Sequence, residues 1–105
     1  MSTVDKIKQQ IAENPIILYM KGTPEMPSCG FSAKASAALK STGIGFAYVN
    51  VLESPFIMER LPTVTDFPTF PQLIIKGEII GGSDIVVEML ANGELLPMLQ
   101  AASNE

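Results

Sequence analysis

The sequence contains no histidine and only one cysteine, Cys29. The absence of histidine removes the commonest metal ligand and the commonest general base at neutral pH. A single cysteine excludes a disulfide within the chain, and with it the class of small secreted proteins that disulfides hold together. The acidic residues are scattered, without the paired spacing of catalytic carboxylates. Any nucleophile or metal chemistry is therefore expected to be thiol chemistry.

Basic residues and long apolar runs are also scarce. The chain has 7 Lys and Arg against 11 Asp and Glu, and its net charge of −4 argues against nucleic-acid binding. No apolar run approaches the roughly 20 residues that a membrane-spanning helix needs. The opening segment, MSTVDKIKQQ, has neither the apolar run of a signal peptide nor the arginine-rich pattern of a transit peptide. We therefore expect no membrane association and a cytoplasmic protein, in a compartment that keeps thiols reduced.

The chain has 105 residues, 47% of them hydrophobic, which suits one compact domain over residues 1–105. Apolar spacing, prolines and glycines divide it into segments. In chain order they predict a helix over residues 3–14, a strand over 16–20, a loop over 22–28, a helix over 30–42, a strand over 46–51, a helix from 54 to about 61, hairpin strands at 73–75 and 79–80 around a turn at 76–78, a helix ending at 93, and a helix over about 94–102. This order predicts an α/β fold with a central mixed four-stranded sheet flanked by helices.

Cys29 lies where a loop rich in glycine and proline meets a predicted helix. Unpaired N–H groups and the positive end of the helix dipole favour a thiolate there and lower its pKa. Lys21 can add a positive charge, and Gly30 can let the backbone turn closely beneath the sulfur. The alternative is a buried structural cysteine, the usual place of a lone cysteine. Position alone does not decide, but the polar, kinked loop favours a reactive thiol.

Ser32 stands three residues after Cys29, where a Cys-x-x-Cys motif has its second thiol. A serine hydroxyl is not ionised near neutral pH, so it cannot resolve a mixed disulfide on Cys29. A thiol from a small molecule or another chain is then needed. The second possibility is a metal: an iron–sulfur cluster needs about four thiolates, which two chains and two small thiols could supply.

Seven residues in three segments are candidate anchors for a small thiol: Lys21, then Thr69, Phe70 and Pro71, and finally Gly82, Ser83 and Asp84. A cis proline at position 71 would turn the backbone of Phe70 toward a ligand, although a proline can also simply begin a strand. A helix starting at residues 82–84 can hold a carboxylate, although Ser83 or Asp84 can also be a plain N-cap. Lys21 can pair with a second carboxylate or be solvated.

Three segments resemble one known family. Residues 21–32, KGTPEMPSCGFS, resemble the loop and active site of the monothiol, CGFS-type glutaredoxins. Residues 67–73, FPTFPQL, are similar to the WPTFPQL segment of that family, and residues 77–85, GEIIGGSDI, are similar to its GELIGGCDI segment. The likeness extends from about residue 4 to residue 99, and the short single-domain form is similar to the bacterial members.

The resemblance implies a thioredoxin-like fold and a homodimer that bridges one [2Fe-2S] cluster. The cluster ligands would be Cys29 of each chain and the thiols of two glutathione molecules. Family members mainly carry clusters to apo iron–sulfur proteins, often with BolA-like partners, and most are poor general disulfide reductases.

The resemblance also implies how glutathione would bind. The tripeptide would lie along Phe70 and a cis Pro71. Its γ-glutamyl carboxylate would meet Ser83 and Asp84, and its glycine carboxylate would meet Lys21.

The chain departs from the family at several positions that bear on glutathione. These are Met58 in place of an arginine that helps to hold glutathione, Thr63 in place of a common lysine, Phe67 in place of tryptophan, and Ser83 in place of cysteine. Arg60 is a poor substitute for the arginine, because two residues correspond to about 200° around a helix. Losing an exposed charged contact costs about 1 kcal/mol. We therefore predict weaker glutathione binding than in typical members, and a labile cluster.

The sequence is compatible with three functions. The first is a glutathione-dependent [2Fe-2S] carrier. The second is an enzyme that reduces protein–glutathione mixed disulfides with Cys29 as its nucleophile. The third is a small interaction module with an incidental cysteine, which would require three motifs to coincide by chance. The loop over residues 22–28 favours the carrier, because in the family it accompanies cluster binding and poor reductase activity.

Overall fold

The structure is a computed structural model that describes residues 2–104, and its regular elements follow the predicted order. The elements are α1 (Thr3–Glu13), β1 (Ile16–Met20), α2 (Gly30–Ser41), β2 (Ala47–Asn50), a 3₁₀ turn (Val51–Glu53), α3 (Pro55–Thr65), β3 (Gln72–Ile75), β4 (Glu78–Gly81), α4 (Ser83–Ala91) and α5 (Leu95–Ser103). No helix within residues 2–104 combines the length and the apolar character of a transmembrane span.

Strand β1 lies inside the sheet, and all five of its residues are buried. The strand order is β2-β1-β3-β4. Strand β1 pairs in parallel with β2 and antiparallel with β3, and β4 pairs antiparallel with β3. A continuous apolar run such as IILYM is typical of a strand covered on both faces. The predicted mixed four-stranded sheet is confirmed.

Alternate side chains of β1 enter two separate hydrophobic cores, because successive residues of a strand point to opposite faces. Ile16, Leu18 and Met20 pack in the first core with residues of α2, α4 and α5. Ile17 and Tyr19 pack in the second core with residues of α1 and α3. The helices therefore flank the sheet on both faces, as the sequence predicts.

Helix α3 continues to Thr65, so the predicted end near Leu61 is wrong. Pro62 lies inside the helix, where a proline normally interrupts the hydrogen bonding. Val64 packs against the second core, so extending the helix past the proline buries apolar surface. The helix stops before Asp66, whose φ of 57° is left-handed.

Strand β2 is shorter than the predicted residues 46–51. The side chain of Asn50 ends it, because Asn50 Oδ1 accepts the N–H of Leu52 at 3.1 Å and caps the 3₁₀ turn that starts at Val51. The hairpin turn is also shorter than predicted. It consists of Lys76 and Gly77, with φ values of 51° and 82°, which is typical of a two-residue turn of the primed type.

Tyr19 carries a polar group into the second core. Its side chain is fully buried, and its hydroxyl donates a hydrogen bond to Gln10 Oε1 at 2.8 Å. Burial raises the pKa of Tyr19 well above the usual value, because the phenolate would lose its hydration.

Replacing Tyr19 by phenylalanine is expected to lower the free energy of unfolding by about 1 kcal/mol at neutral pH, because Gln10 loses its partner. The pKa of Tyr19 is higher in the folded than in the unfolded chain. The stabilisation by the hydroxyl is therefore complete below about pH 10 and shrinks as the pH rises further. Urea unfolding at about pH 8 and about pH 11 measures both effects. The exposed Tyr48→Phe variant is the control, and a stability gap that widens at the higher pH would contradict this account.

Candidate functional site

A groove with a volume of about 800 Å³ lies where β1 ends, β3 begins and α4 starts. These three places meet because β1 and β3 are antiparallel neighbours and α4 directly follows β4. All seven candidate anchors line the groove: Lys21, Thr69, Phe70, Pro71, Gly82, Ser83 and Asp84. The fold therefore brings candidate residues from three distant segments of the sequence to one place.

Cys29 is the N-cap of α2 and is partly exposed. The thiol does not line the groove itself, but Phe31, two residues later, does. The sulfur accepts a hydrogen bond from the N–H of Ser32 at 3.5 Å. Cys29 is thus not a buried structural cysteine, which was the alternative interpretation of a lone thiol.

Local hydrogen bonds lower the pKa of Cys29 below its usual value. The largest cause is the backbone N–H of Ser32, and partial burial of the thiol opposes it. The hydroxyl of Ser32, the backbone N–H of Phe31 and the positive charge of Lys21 lower the pKa further. Hydrogen bonds to the thiolate therefore matter more here than the charge of Lys21.

Ser32 joins the start of α2 to the end of β1. Its side chain is fully buried, and Oγ accepts the N–H of Lys21 at 3.0 Å. The carbonyl of Lys21 accepts the N–H of Ser28 at 2.9 Å. Lys21 is therefore held through both of its backbone groups by residues on either side of Cys29.

The loop before Cys29 requires a glycine at position 22. Gly22 has a φ of 90°, and a Cβ there would lie 2.5 Å from Ser28 N and 2.6 Å from Met26 O. The N–H of Gly22 donates to Asn50 Oδ1 at 2.9 Å. At Gly30, by contrast, an added Cβ would meet no atom within 4 Å outside its chain neighbours and the backbone of its own helix.

The peptide bond between Phe70 and Pro71 is cis. The pairing of β1 with β3 stops at Tyr19 and Gln72, because the N–H of Lys21 turns to Ser32 instead. Within residues 2–104, the backbone of Phe70 forms no hydrogen bond. Its N–H and carbonyl therefore remain available for an extended ligand, in the way that a sheet edge binds a peptide.

The start of α4 differs from the prediction, which made Ser83 or Asp84 the cap. The N-cap is Gly82, and no side chain caps this end of the helix. Ser83 is the first helical residue and is buried, and Asp84 is exposed in the first turn. A capping side chain would occupy the first N–H groups of α4. Without one, they can hold a carboxylate.

Met58 lines the groove, whereas Arg60 and Thr63 do not. Arg60 is exposed, and Thr63 Oγ1 donates to the carbonyl of Arg60 at 2.7 Å. Lys21 is the only basic residue among the groove-lining residues of the described chain. In the same part of the chain, no three His, Cys, Asp or Glu side chains come together in a set that could hold a metal ion.

The glutaredoxin family model matches residues 16–80. This chain belongs to the glutaredoxin family. The resemblance of the three sequence segments is confirmed, and within the family this is a glutaredoxin with a single thiol.

Curated relatives cover nearly the whole chain. "Glutaredoxin 4" of Haemophilus influenzae (strain 86-028NP) is 57% identical over 99 residues, which are 94% of this chain and 92% of the relative. "Glutaredoxin 4" of Escherichia coli (strain K12) is 54% identical over 99 residues, with coverage of 94% and 86%.

Solved structures confirm the thioredoxin-like glutaredoxin fold. The solution structure of reduced poplar apo GrxS14 has a TM-score of 0.83 and 36% identity, over 99% of this chain and 95% of that one. The crystal structure of a buckwheat glutaredoxin–glutathione complex also has a TM-score of 0.83, with 25% identity over 96% and 90% of the two chains.

Two side chains that hold the site of this glutaredoxin together were not predicted from the sequence. The side chain of Asn50, at the end of β2, accepts a hydrogen bond from the N–H of Gly22. The buried side chain of Gln72, at the start of β3, donates a hydrogen bond to the carbonyl of Phe67. A signal for Gln72 was present, because it is a polar residue at the head of the apolar run QLII. A buried polar side chain needs partners, and its partners show what it holds.

Replacing Gly22 by alanine is expected to lower the free energy of unfolding by roughly 3 kcal/mol or more, because the new Cβ collides with backbone atoms. Gly43→Ala is the matched control, since Gly43 has a φ of 75° and no atom within 4 Å of an added Cβ. It should cost only about 1–2 kcal/mol, for the left-handed backbone alone. Urea unfolding measures both losses, and equal losses would show that the close approach at Gly22 is unimportant.

Proposed function

We propose that this glutaredoxin binds glutathione in the groove and, as a homodimer, carries a [2Fe-2S] cluster to apo iron–sulfur proteins. One observation supports the proposal above the others. A partly exposed thiol with a lowered pKa stands beside a groove that contains all the candidate glutathione anchors. BolA-like proteins are the proposed further partners, and the reducing cytoplasm is the proposed setting.

The chemistry of the groove suits glutathione. The tripeptide has a carboxylate at each end, and the groove offers Lys21 at one place and the uncapped start of α4 at another. The unpaired backbone of Phe70 can hydrogen-bond the central peptide. Asp84 can attract the α-amino group of the γ-glutamyl residue. The structurally similar buckwheat glutaredoxin was solved as a complex with glutathione.

The thiol count suits a shared cluster. A [2Fe-2S] cluster is usually held by four thiolates, and this chain has one cysteine. Cys29 from each of two chains and the thiols of two glutathione molecules would complete the set. The lowered pKa of Cys29 favours the thiolate that binds iron.

A glutathione-dependent reductase is the second candidate, and the same lowered pKa favours it. In this reaction the Cys29 thiolate attacks the glutathione sulfur of a mixed disulfide, and the substrate protein leaves as a thiolate. The thiolate of a second glutathione molecule then attacks the glutathione sulfur of the mixed disulfide on Cys29. Oxidised glutathione forms, and the Cys29 thiolate is regenerated. Ser32 does not take part in the exchange of either step.

Anaerobic cluster reconstitution with and without glutathione tests the carrier function. We expect the visible spectrum of a [2Fe-2S] cluster only with glutathione, a dimeric mass by light scattering, and loss of both in Cys29→Ser. Glutathione binding without any cluster would overturn the carrier function and leave the reductase. Turnover of a glutathionylated substrate in a reductase assay would then identify the enzyme.

Replacing Met58 by arginine is expected to strengthen glutathione binding about fivefold, because the groove gains a second cation. The gain should shrink at high salt. Calorimetric titration of both proteins measures it, with thermal unfolding as a check, because Met58 also packs against the second core. Gln9→Arg adds the same charge on the exposed side of α1 and serves as the control. An equal gain in both variants would contradict a specific effect of position 58.

A further inference from the structure

Residues 67–71 form one wall of the groove, and all five line it. They connect α3 to β3 and belong to neither. Within residues 2–104, this segment forms no backbone–backbone hydrogen bond. Its position must therefore depend on side chains.

One side chain outside the groove holds this wall. Gln72 is fully buried, and its Nε2 donates to the carbonyl of Phe67 at 2.8 Å. Its Oε1 accepts the hydroxyl of Thr65 at 2.9 Å. The bond to Phe67 is the only hydrogen bond that residues 67–71 make to any described residue.

The position of Phe67 also affects the start of α4. A Cβ on Gly82 would lie 3.4 Å from Phe67 Cζ and 3.3 Å from the carbonyl oxygen of Pro71. The aromatic ring therefore lies against the N-cap of α4. A buried amide that fixes Phe67 links the wall of the groove to the uncapped helix end.

We propose that Gln72 is a positioning residue for the glutathione site. It acts through Phe67, setting the distance between the backbone of Phe70 and the first N–H groups of α4. This inference rests on the proposed binding of glutathione in the groove. Gln72 does not touch the groove itself.

The test compares two variants that each remove buried hydrogen bonding. Gln72→Met keeps the approximate volume but loses the bond to Phe67. Thr65→Val removes the other partner of Gln72 and leaves the bond to Phe67 in place. We measure the glutathione Kd by calorimetry, thermal unfolding, and NMR order parameters of the Phe67, Thr69 and Phe70 amides without ligand.

Gln72→Met is expected to weaken glutathione binding about fivefold or more and to lower the three order parameters. Thr65→Val should change the Kd by less than about twofold, even if it lowers the unfolding temperature as much as Gln72→Met does. Equal Kd values in Gln72→Met and the wild type would overturn the inference, as would equal weakening in both variants. If Gln72→Met does not fold, Gln72→Asn, one methylene shorter, makes the same comparison.

The same data separate this inference from the proposed function. If the wild type binds no glutathione, the proposed function fails. The order parameters, which are measured without ligand, then test the positioning role of Gln72 by themselves. A fall in Gln72→Met but not in Thr65→Val supports that role, and unchanged values refute it.

Discussion

The hydrogen bond from the N–H of Lys21 to the hydroxyl of Ser32 is the interaction on which the site depends. It turns the chain out of the sheet at the end of β1, so the ladder with β3 stops before Phe70. It also fixes the start of α2, and with it the N–H of Ser32 that hydrogen-bonds the thiol. One serine therefore leaves a strand edge open and favours a thiolate beside it.

That serine occupies the place of the missing second cysteine. A cysteine there would give the chain its own resolving thiol. A fully buried hydroxyl instead gives it a structural link, since one hydroxyl can accept from Lys21 and donate to the sulfur. Under the proposed function, a thiol from another molecule completes the chemistry of Cys29.

Much of the fold and of the site could be predicted from the sequence, because apolar spacing and motifs carry that information. The run IILYM indicated a buried strand, and the anchors came from segments that resemble a family. The end of α3 and the cap of α4 could not be predicted. Packing of Val64 outweighs the proline at position 62, and Gly82 takes the capping place of Ser83. The hydrogen bonds of the buried Gln72, to Thr65 and to the carbonyl of Phe67, depend on how the folded chain turns between α3 and β3, which the sequence pattern does not show.

The hydrogen bond between Tyr19 and Gln10 has a consequence for how the sheet assembles. Every residue of β1 is apolar or aromatic and buried, so hydrophobicity alone barely distinguishes one face of this strand from the other. A slip of one residue would exchange the two faces and carry the tyrosine hydroxyl into the core of α2, α4 and α5, away from Gln10. The single phenol in an otherwise apolar strand thereby specifies the pairing register of the central strand, and with it where Lys21 emerges beside the thiol.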